Sequence, residues 1–240
     1  MNLGPADYIH LRPAVEADLD DLVTILIDAF APGPVWRYIF PHLDKYYDSL
    51  WHCFRTEIAQ EFDHVPNTTF INVIEKPKHT IHDFGPRRVV GIGIWNLLSP
   101  NPQVQLQSTF LSEAHAAFLG CNDNPAVNQT RVLHYAAQAD RADRYYIRNR
   151  RQDQFYLNML ATHPDWDGHG FGAANLDWGF KKAKSLGGNI PITLLATPAG
   201  WPLYDKSGFE SVANFTITSM DDDMDDFWFE YMRVGNFTNE

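Results

Sequence analysis

The stretch His163-Pro164-Asp165-Trp166-Asp167-Gly168-His169-Gly170-Phe171-Gly172-Ala173-Ala174 decides the fold. An apolar, strand-like run, Phe155 to Thr162, leads into it, and a helix-like run, Gly172 to Leu186, leads out. Strand, glycine-rich turn and helix, in that order, present backbone N–H groups to a phosphate. Glycines at 168, 170 and 172 let the chain approach a ligand without a Cβ and adopt positive φ where the turn requires it. The open N–H groups of the helix's first turn then face an anion, and the helix dipole favours it. The triplet lacks the spacing of a dinucleotide fingerprint and the Lys-Ser/Thr pair of a P-loop. An ordinary tight turn would use the same glycines, so the surroundings must decide.

The segment resembles motif A of the GNAT superfamily of acyl-CoA N-acyltransferases, whose pattern is Gln/Arg-x-x-Gly-x-Gly/Ala after a strand. Here it falls on Asp167-Gly168-His169-Gly170-Phe171-Gly172, with Leu160-Ala161-Thr162-His163-Pro164 as the strand end. Downstream, Ala196-Thr197-Pro198-Ala199-Gly200-Trp201-Pro202-Leu203-Tyr204-Asp205-Lys206-Ser207-Gly208-Phe209-Glu210 resembles motif B, which closes on Tyr-x-x-x-Gly-Phe. The resemblance implies an α/β chain of α+β type, with a mixed, mostly antiparallel central sheet flanked by helices. It implies one domain over residues 1–240, with an insertion or lid at 99–152. The implied activity is transfer of an acetyl group from acetyl-CoA, the co-substrate, to a primary amine of a small molecule, by direct attack in a ternary complex. Acylation of a protein or peptide amine, or a non-catalytic binding module of the same fold, are the alternatives.

The same resemblance implies site residues. Amides around Gly168, His169, Gly170, Phe171 and Gly172 would hold the pyrophosphate. Those of Leu160 and Thr162 would pair with pantetheine or the thioester carbonyl, freed where the motif A strand splays at a bulge. Tyr204 would give a proton to the leaving thiolate; read from composition alone, it is a packing aromatic. Trp36, Tyr38 and Phe40 lie in the loop between the first two helices, where they would line an acceptor pocket or anchor the loop to the core. Two residues depart from the pattern: Asp167 stands for Gln/Arg, and His169 for a commonly basic residue. A carboxylate aimed at a pyrophosphate costs affinity, but the motif works through its backbone. No residue is forced as general base; Asp153, Tyr156, Asn158, His163, Asp165 and Glu230 are the candidates on or near the relevant strands. Arg141, Arg144, Arg148, Arg150 and Arg151 read first as a solvated helix face and second as a clamp for the 3′-phosphate of CoA.

Composition sets the outer bounds. The 240 residues are 45% hydrophobic and 20% charged, as in a soluble globular protein with a sizeable core. No run of 18 apolar residues suggests a membrane span, and Met1 to His10 carries neither a basic nor an apolar segment of a secretory signal. Two cysteines, Cys53 and Cys121, are too few for a disulfide framework. These readings give a cytoplasmic, reducing compartment as the expectation. A formal net charge of −11 disfavours nucleic acid and anionic membranes as partners. No metal site is expected: His79 and His82 have no third ligand in view.

Along the chain, Ile9 to Pro13 reads as a first strand. Leu19, Leu22, Val23, Leu26 and Phe30 repeat at helical spacing, and Ala31-Pro32-Gly33-Pro34 ends that helix. A second helix is expected over Leu43 to Phe62, then antiparallel strands at Thr69–Ile74 and Val89–Leu97. Residues 99–152 hold a possible helix at Leu111–Leu119 and a charged one at Arg131–Arg150. A strand at Ile192–Ala196, a short helix at Pro198–Ser207 and strands at Glu210–Thr218 and Phe227–Val234 complete the pattern.

Overall fold

The computed structural model describes residues 9–65, 67–75, 89–100, 124–142, 145, 152–187, 190–222 and 224–235. Seven strands form one sheet: β1 (Leu11–Pro13), β2 (Thr69–Glu75), β3 (Val89–Leu98), β4 (Gln154–Thr162), β5 (Ile192–Ala196), β6 (Glu210–Ile217) and β7 (Phe227–Val234). Their order is β1-β2-β3-β4-β5-β7-β6. Every pairing is antiparallel except that of β4 with β5. Helices cover both faces. On one lie α1 (Leu19–Phe30), α2 (Pro34–Ile39), α3 (Tyr47–Glu61) and α4 (Gln129–Ala142); on the other, α5 (Phe171–Gly187) and α6 (Trp201–Lys206). A mixed, mostly antiparallel sheet between helices is the architecture expected from the sequence.

α1 buries Leu22, Val23, Ile25, Leu26 and Ile27 against β3 and β4 and keeps its acids, Asp20 and Asp21, in the first turn, where the dipole favours them. Two details depart from the expected elements. The aromatic segment after Gly33 is a helix, with Pro34 in its first turn, where a missing N–H costs nothing. The helix after it starts at Tyr47. Within residues 99–152, the expected helix at Leu111–Leu119 lies outside the described residues. The charged helix is described as α4, capped where Asn128 Oδ1 accepts from the Arg131 N–H. Its apolar face, Val132, Tyr135, Ala136 and Ala139, joins the core of α1–α3. Its polar face is tied down too: Gln138 exchanges two hydrogen bonds with the Thr218 backbone, and Arg131 pairs with Asp221. The described helix of this segment is therefore docked.

Cys53, on α3, is disulfide-bonded. Among the described residues no helix is long and apolar enough to cross a membrane, and no three metal-ligating side chains cluster.

α5 is locked onto β3 by two reciprocal fits. Trp95 of β3 fills the space above Gly179 of α5, where a Cβ would stand 2.2 Å from its ring. Asn175 of α5 fills the space above Gly93 of β3, where a Cβ would stand 2.4 Å from its Oδ1. Trp95 also stacks on Phe155 of β4, with ring centroids 5.0 Å apart. Gly179→Ala improves intrinsic helix propensity yet drives a methyl into a fully packed ring. We expect a net destabilisation of about 1–3 kcal/mol, read as a lower denaturation midpoint.

On the other face, Glu57 occupies a core-facing position of α3 beside Leu50, Phe54 and Ile58. Burial, with a smaller contribution from the Glu61 charge, raises its pKa to about 8. The folded state therefore holds a proton that the unfolded chain releases near the ordinary carboxyl value. Stability is greatest below that value and falls as pH rises towards about 8. Glu57→Gln should match wild type in acid and exceed it at mildly alkaline pH, by an order of 1–4 kcal/mol; chemical denaturation across that window checks it.

Candidate active site

The site begins with a strand that parts from its neighbour. β4 pairs with β5 only through Phe155, Tyr156 and Leu157, opposite Ile192, Thr193 and Leu194. β4 then runs on to Thr162 with β3 alone beside it. The register with β3 passes from Trp95↔Leu157 to Ile94↔Met159, so Asn158 is an extra, bulged residue. Before the bulge, the Phe155 N–H points towards β5 and bonds Pro191. After it, the His163 N–H bonds Val90 of β3. Antiparallel alternation from that pair turns the N–H groups of Leu160 and Thr162 away from β3, into the gap beside β5. The two amides expected from the sequence to meet a ligand therefore face the split.

The glycine turn sits at the mouth of this gap. A 3-10 turn, Pro164–Trp166, separates β4 from it. Gly168 (φ 78°) and Gly170 (φ 80°) occupy the left-handed region, which other residues enter only at a cost. Gly172 is set by packing: a Cβ there would meet Leu203 Cδ2 of α6 at 2.8 Å. Ala174 N–H bonds Gly170 carbonyl, so Gly170 caps α5 and the amides of Phe171, Gly172 and Ala173 have no partner within the helix. No acidic residue stands in that first turn. Asp167 is exposed, and its carbonyl, together with that of Trp166, lies 3.0 Å from His169 Nδ1. Carbonyls only accept, so Nδ1 carries the hydrogen and Nε2 is left facing outward. The His169 ring stacks on Phe171, whose own side chain is buried with Ile74, Val90 and Trp166.

Tyr204 lies on α6 at the other side of the gap. It is 8% exposed. Burial alone pushes its phenol pKa up, and no hydrogen bond or charge contributes. Gly200 makes room for the ring, since a Cβ there would approach Tyr204 Cε2 to 2.9 Å. Gly208 (φ 86°) ends the helix in the left-handed conformation, and Phe209 returns edge-on to Tyr204 at 5.9 Å. The spacing of tyrosine, glycine and phenylalanine in the sequence is thus the geometry of a helix stop.

No family model matches the chain, and no curated protein matches it. Solved structures do. A Corynebacterium glutamicum protein named as a histone acetyltransferase and related acetyltransferase superposes with a TM-score of 0.59 at 20% identity, over 97% of this chain and 98% of its own. An agmatine N-acetyltransferase, a mutant in its apo form, gives 0.59 at 12% identity over 96% and 100%. A GNAT superfamily phosphinothricin acetyltransferase from Sinorhizobium meliloti, in complex with acetyl-CoA, gives 0.54 at 14% identity over 95% and 88%. This chain has the GNAT acetyltransferase fold.

Within that GNAT fold the remaining sequence candidates separate. Trp36, Tyr38 and Phe40 are 3%, 0% and 2% exposed. Trp36 and Phe40 pack on each other and on Phe54; Tyr38 packs on Phe227 and joins its hydroxyl to His134. These aromatics anchor α2 to the core. Of the arginines, Arg141 is exposed on α4, and 144, 148, 150 and 151 lie outside the described residues.

Among the base candidates, Asp153 is exposed and accepts from Ser99 at 2.6 Å. Asp165 is exposed, and Tyr156 is buried. His163 accepts the Asp165 N–H at Nδ1 and has Nε2 3.3 Å from Asp28 of α1, so it braces the glycine turn against the opposite layer. Asn158 is an amide without basicity, but it sits at the split, a position that no single-strand pattern marks. Gly170→Ala should lower the unfolding free energy by about 1–2 kcal/mol through backbone strain alone, because the space around it is open. Gly172→Ala should cost less than about 1 kcal/mol, since Leu203 can rotate away and alanine favours the helix; denaturant titration of both variants checks the contrast.

Proposed function

We propose that this protein transfers an acetyl group from acetyl-CoA to a primary amine of a small molecule. The observation that carries the reading is the alignment of three donor sets around one gap: the amides of Leu160 and Thr162, the glycine turn with the open first turn of α5, and the phenol of Tyr204. The fit to the co-substrate rests on this chain's own features. Gly168 and Gly170 hold a turn with no side chain in the way, the helix N-terminus carries no acid, and anions bind such termini readily. Acetyl-CoA supplies an activated acetyl group and a thiol leaving group.

The residues then divide the work. Amides of residues 168–172 hold the pyrophosphate, and Leu160 and Thr162 hold the extended arm by strand-like pairing. Tyr204, kept protonated by burial, donates to sulfur as negative charge develops there. The solved structures of like fold include agmatine and phosphinothricin acetyltransferases, which supports a small amine as acceptor. The net charge of −11 adds that a cationic acceptor is drawn in more readily than an anionic one. Basic peptides share that charge, so they form the competing class.

Calorimetric titration with acetyl-CoA, CoA and dephospho-CoA, followed by a thiol-release assay on small amines and on peptides, tests the reading. One-to-one binding with turnover of small amines supports it. Turnover of peptides alone moves the acceptor to protein amines, and binding without turnover of any amine leaves a binding module. Tyr204→Phe should lower kcat by about 10²-fold or more while leaving acetyl-CoA affinity intact, because the hydroxyl acts on sulfur as it leaves and not on the bound co-substrate.

A further inference from the structure

The bulge at Asn158 falls where β4 parts from β5. Leu157 packs with the α5-side core and Met159 with the α1-side core. The alternation of β4 therefore resets across Asn158. Asn158 is only half-buried, yet its Oδ1 is shielded from solvent and has no hydrogen-bond partner among the described residues. An acceptor in that state carries the full desolvation cost of an unmade bond, which is a reason to look for a ligand N–H.

Register places the group. Asn158 is the first residue of β4 beyond the last pair with β5, Leu157↔Leu194. One step further along β5 is Leu195, which pairs with Tyr231 of β7. Leu195 and Tyr231 cluster with Tyr156 and Leu98. Asn158 thus follows Tyr156 and Leu157 on β4 at the point where the strands part.

Resting on the acetyl-transfer reading of this site, we propose that Asn158 Oδ1 accepts an N–H of the acceptor's attacking nitrogen and fixes its line of approach into the β4–β5 split. The alternative partner at this level is the amide of the pantetheine arm. An extended arm pairs with in-plane backbone groups, which here belong to Leu160 and Thr162. A strand side chain stands out of that plane, towards a ligand entering from the face of the sheet. Since an amide does not take a proton, Asn158 orients the amine and leaves its deprotonation to another group or to water.

The test uses the full chain and an amine that the wild type acetylates. Steady-state kinetics at saturating acetyl-CoA are compared for wild type, Asn158→Ala and Asn158→Asp, with acetyl-CoA affinity and thermal midpoint measured for each. Asn158→Ala should lose roughly 10- to 100-fold in kcat/KM for the amine with acetyl-CoA affinity retained. Asn158→Asp keeps an acceptor of the same shape, so it should retain more activity and add an ionisation to the acid side of the pH profile. An alanine variant with unchanged kcat/KM for the amine overturns the inference alone. So does a loss of acetyl-CoA affinity that matches the kinetic loss, which would place Asn158 on the pantetheine arm or in the framework. A wild type that binds acetyl-CoA but acetylates no amine overturns the inference together with the proposed function.

Discussion

The structure turns on an incomplete parallel pairing. Two adjacent strands running the same way would ordinarily ladder along their shared length, because buried N–H and C=O groups left unmade are costly. Here the pairing of β4 with β5 stops after three residues. The bulge at Asn158 shifts the phase of β4 by one residue, so the even-numbered amides that would have faced β3 face the gap instead. Beyond the bulge the strand is satisfied by β3 on one side and open on the other. A sheet edge inside a fold is a place for an extended ligand to pair, and the glycine turn continues the same run of open amides round the corner into α5.

Such an opening holds its shape only if its walls are fixed independently of each other. On one face, Trp95 over Gly179 and Asn175 over Gly93 set the height of α5 above β3, and with it the position of the helix N-terminus. On the other, His163 links the glycine turn to Asp28 of α1, and Asp28 accepts the Tyr47 hydroxyl of α3 at 2.9 Å. The turn is therefore held from both layers of helices. α6 closes the third side, with Leu203 against Gly172 and Tyr204 over Gly200. None of these braces needs a ligand to form, which is the condition for donors that are already aimed when the substrate arrives.

How much of this is legible in the sequence depends on whether the determinant is local. The strand–turn–helix unit can be read because positive φ at Gly168 and Gly170 and the cap at Gly170 are decided within a few residues. The Tyr204–Gly208–Phe209 spacing is readable for the same reason, as a helix stop that brings a phenylalanine back onto a tyrosine. Pro34–Ile39 does not read as a helix, since six residues span too few turns for a periodic pattern, and its aromatics suit a pocket and a core equally. The bulge is out of reach altogether: Asn158 is extra only relative to β3, and the register of β3 is set by residues some sixty positions earlier in the chain. Glu57 is a related case, a carboxyl in a helix stripe that gives no hint of its burial until α3 is placed against α1.

The charge distribution sharpens the distinction between local and global effects. A chain of net charge −11 would repel a polyanionic ligand at long range, and yet the gap is lined by donors. The two statements are compatible because they act over different distances. Salt screens the field of exposed acids within about 8–10 Å, and the acids nearest the turn, Asp165 and Asp167, are exposed. Backbone N–H groups at a helix terminus act at contact, in surroundings where water is partly excluded and each bond counts for more. Replacing the usual Gln/Arg by Asp167 therefore removes a side-chain contribution without reversing the polarity of the turn, because that polarity comes from the direction of the peptide groups. Under the proposed acetyl transfer, the same division leaves the net acidity free to act on the amine, drawing a cationic acceptor in at long range.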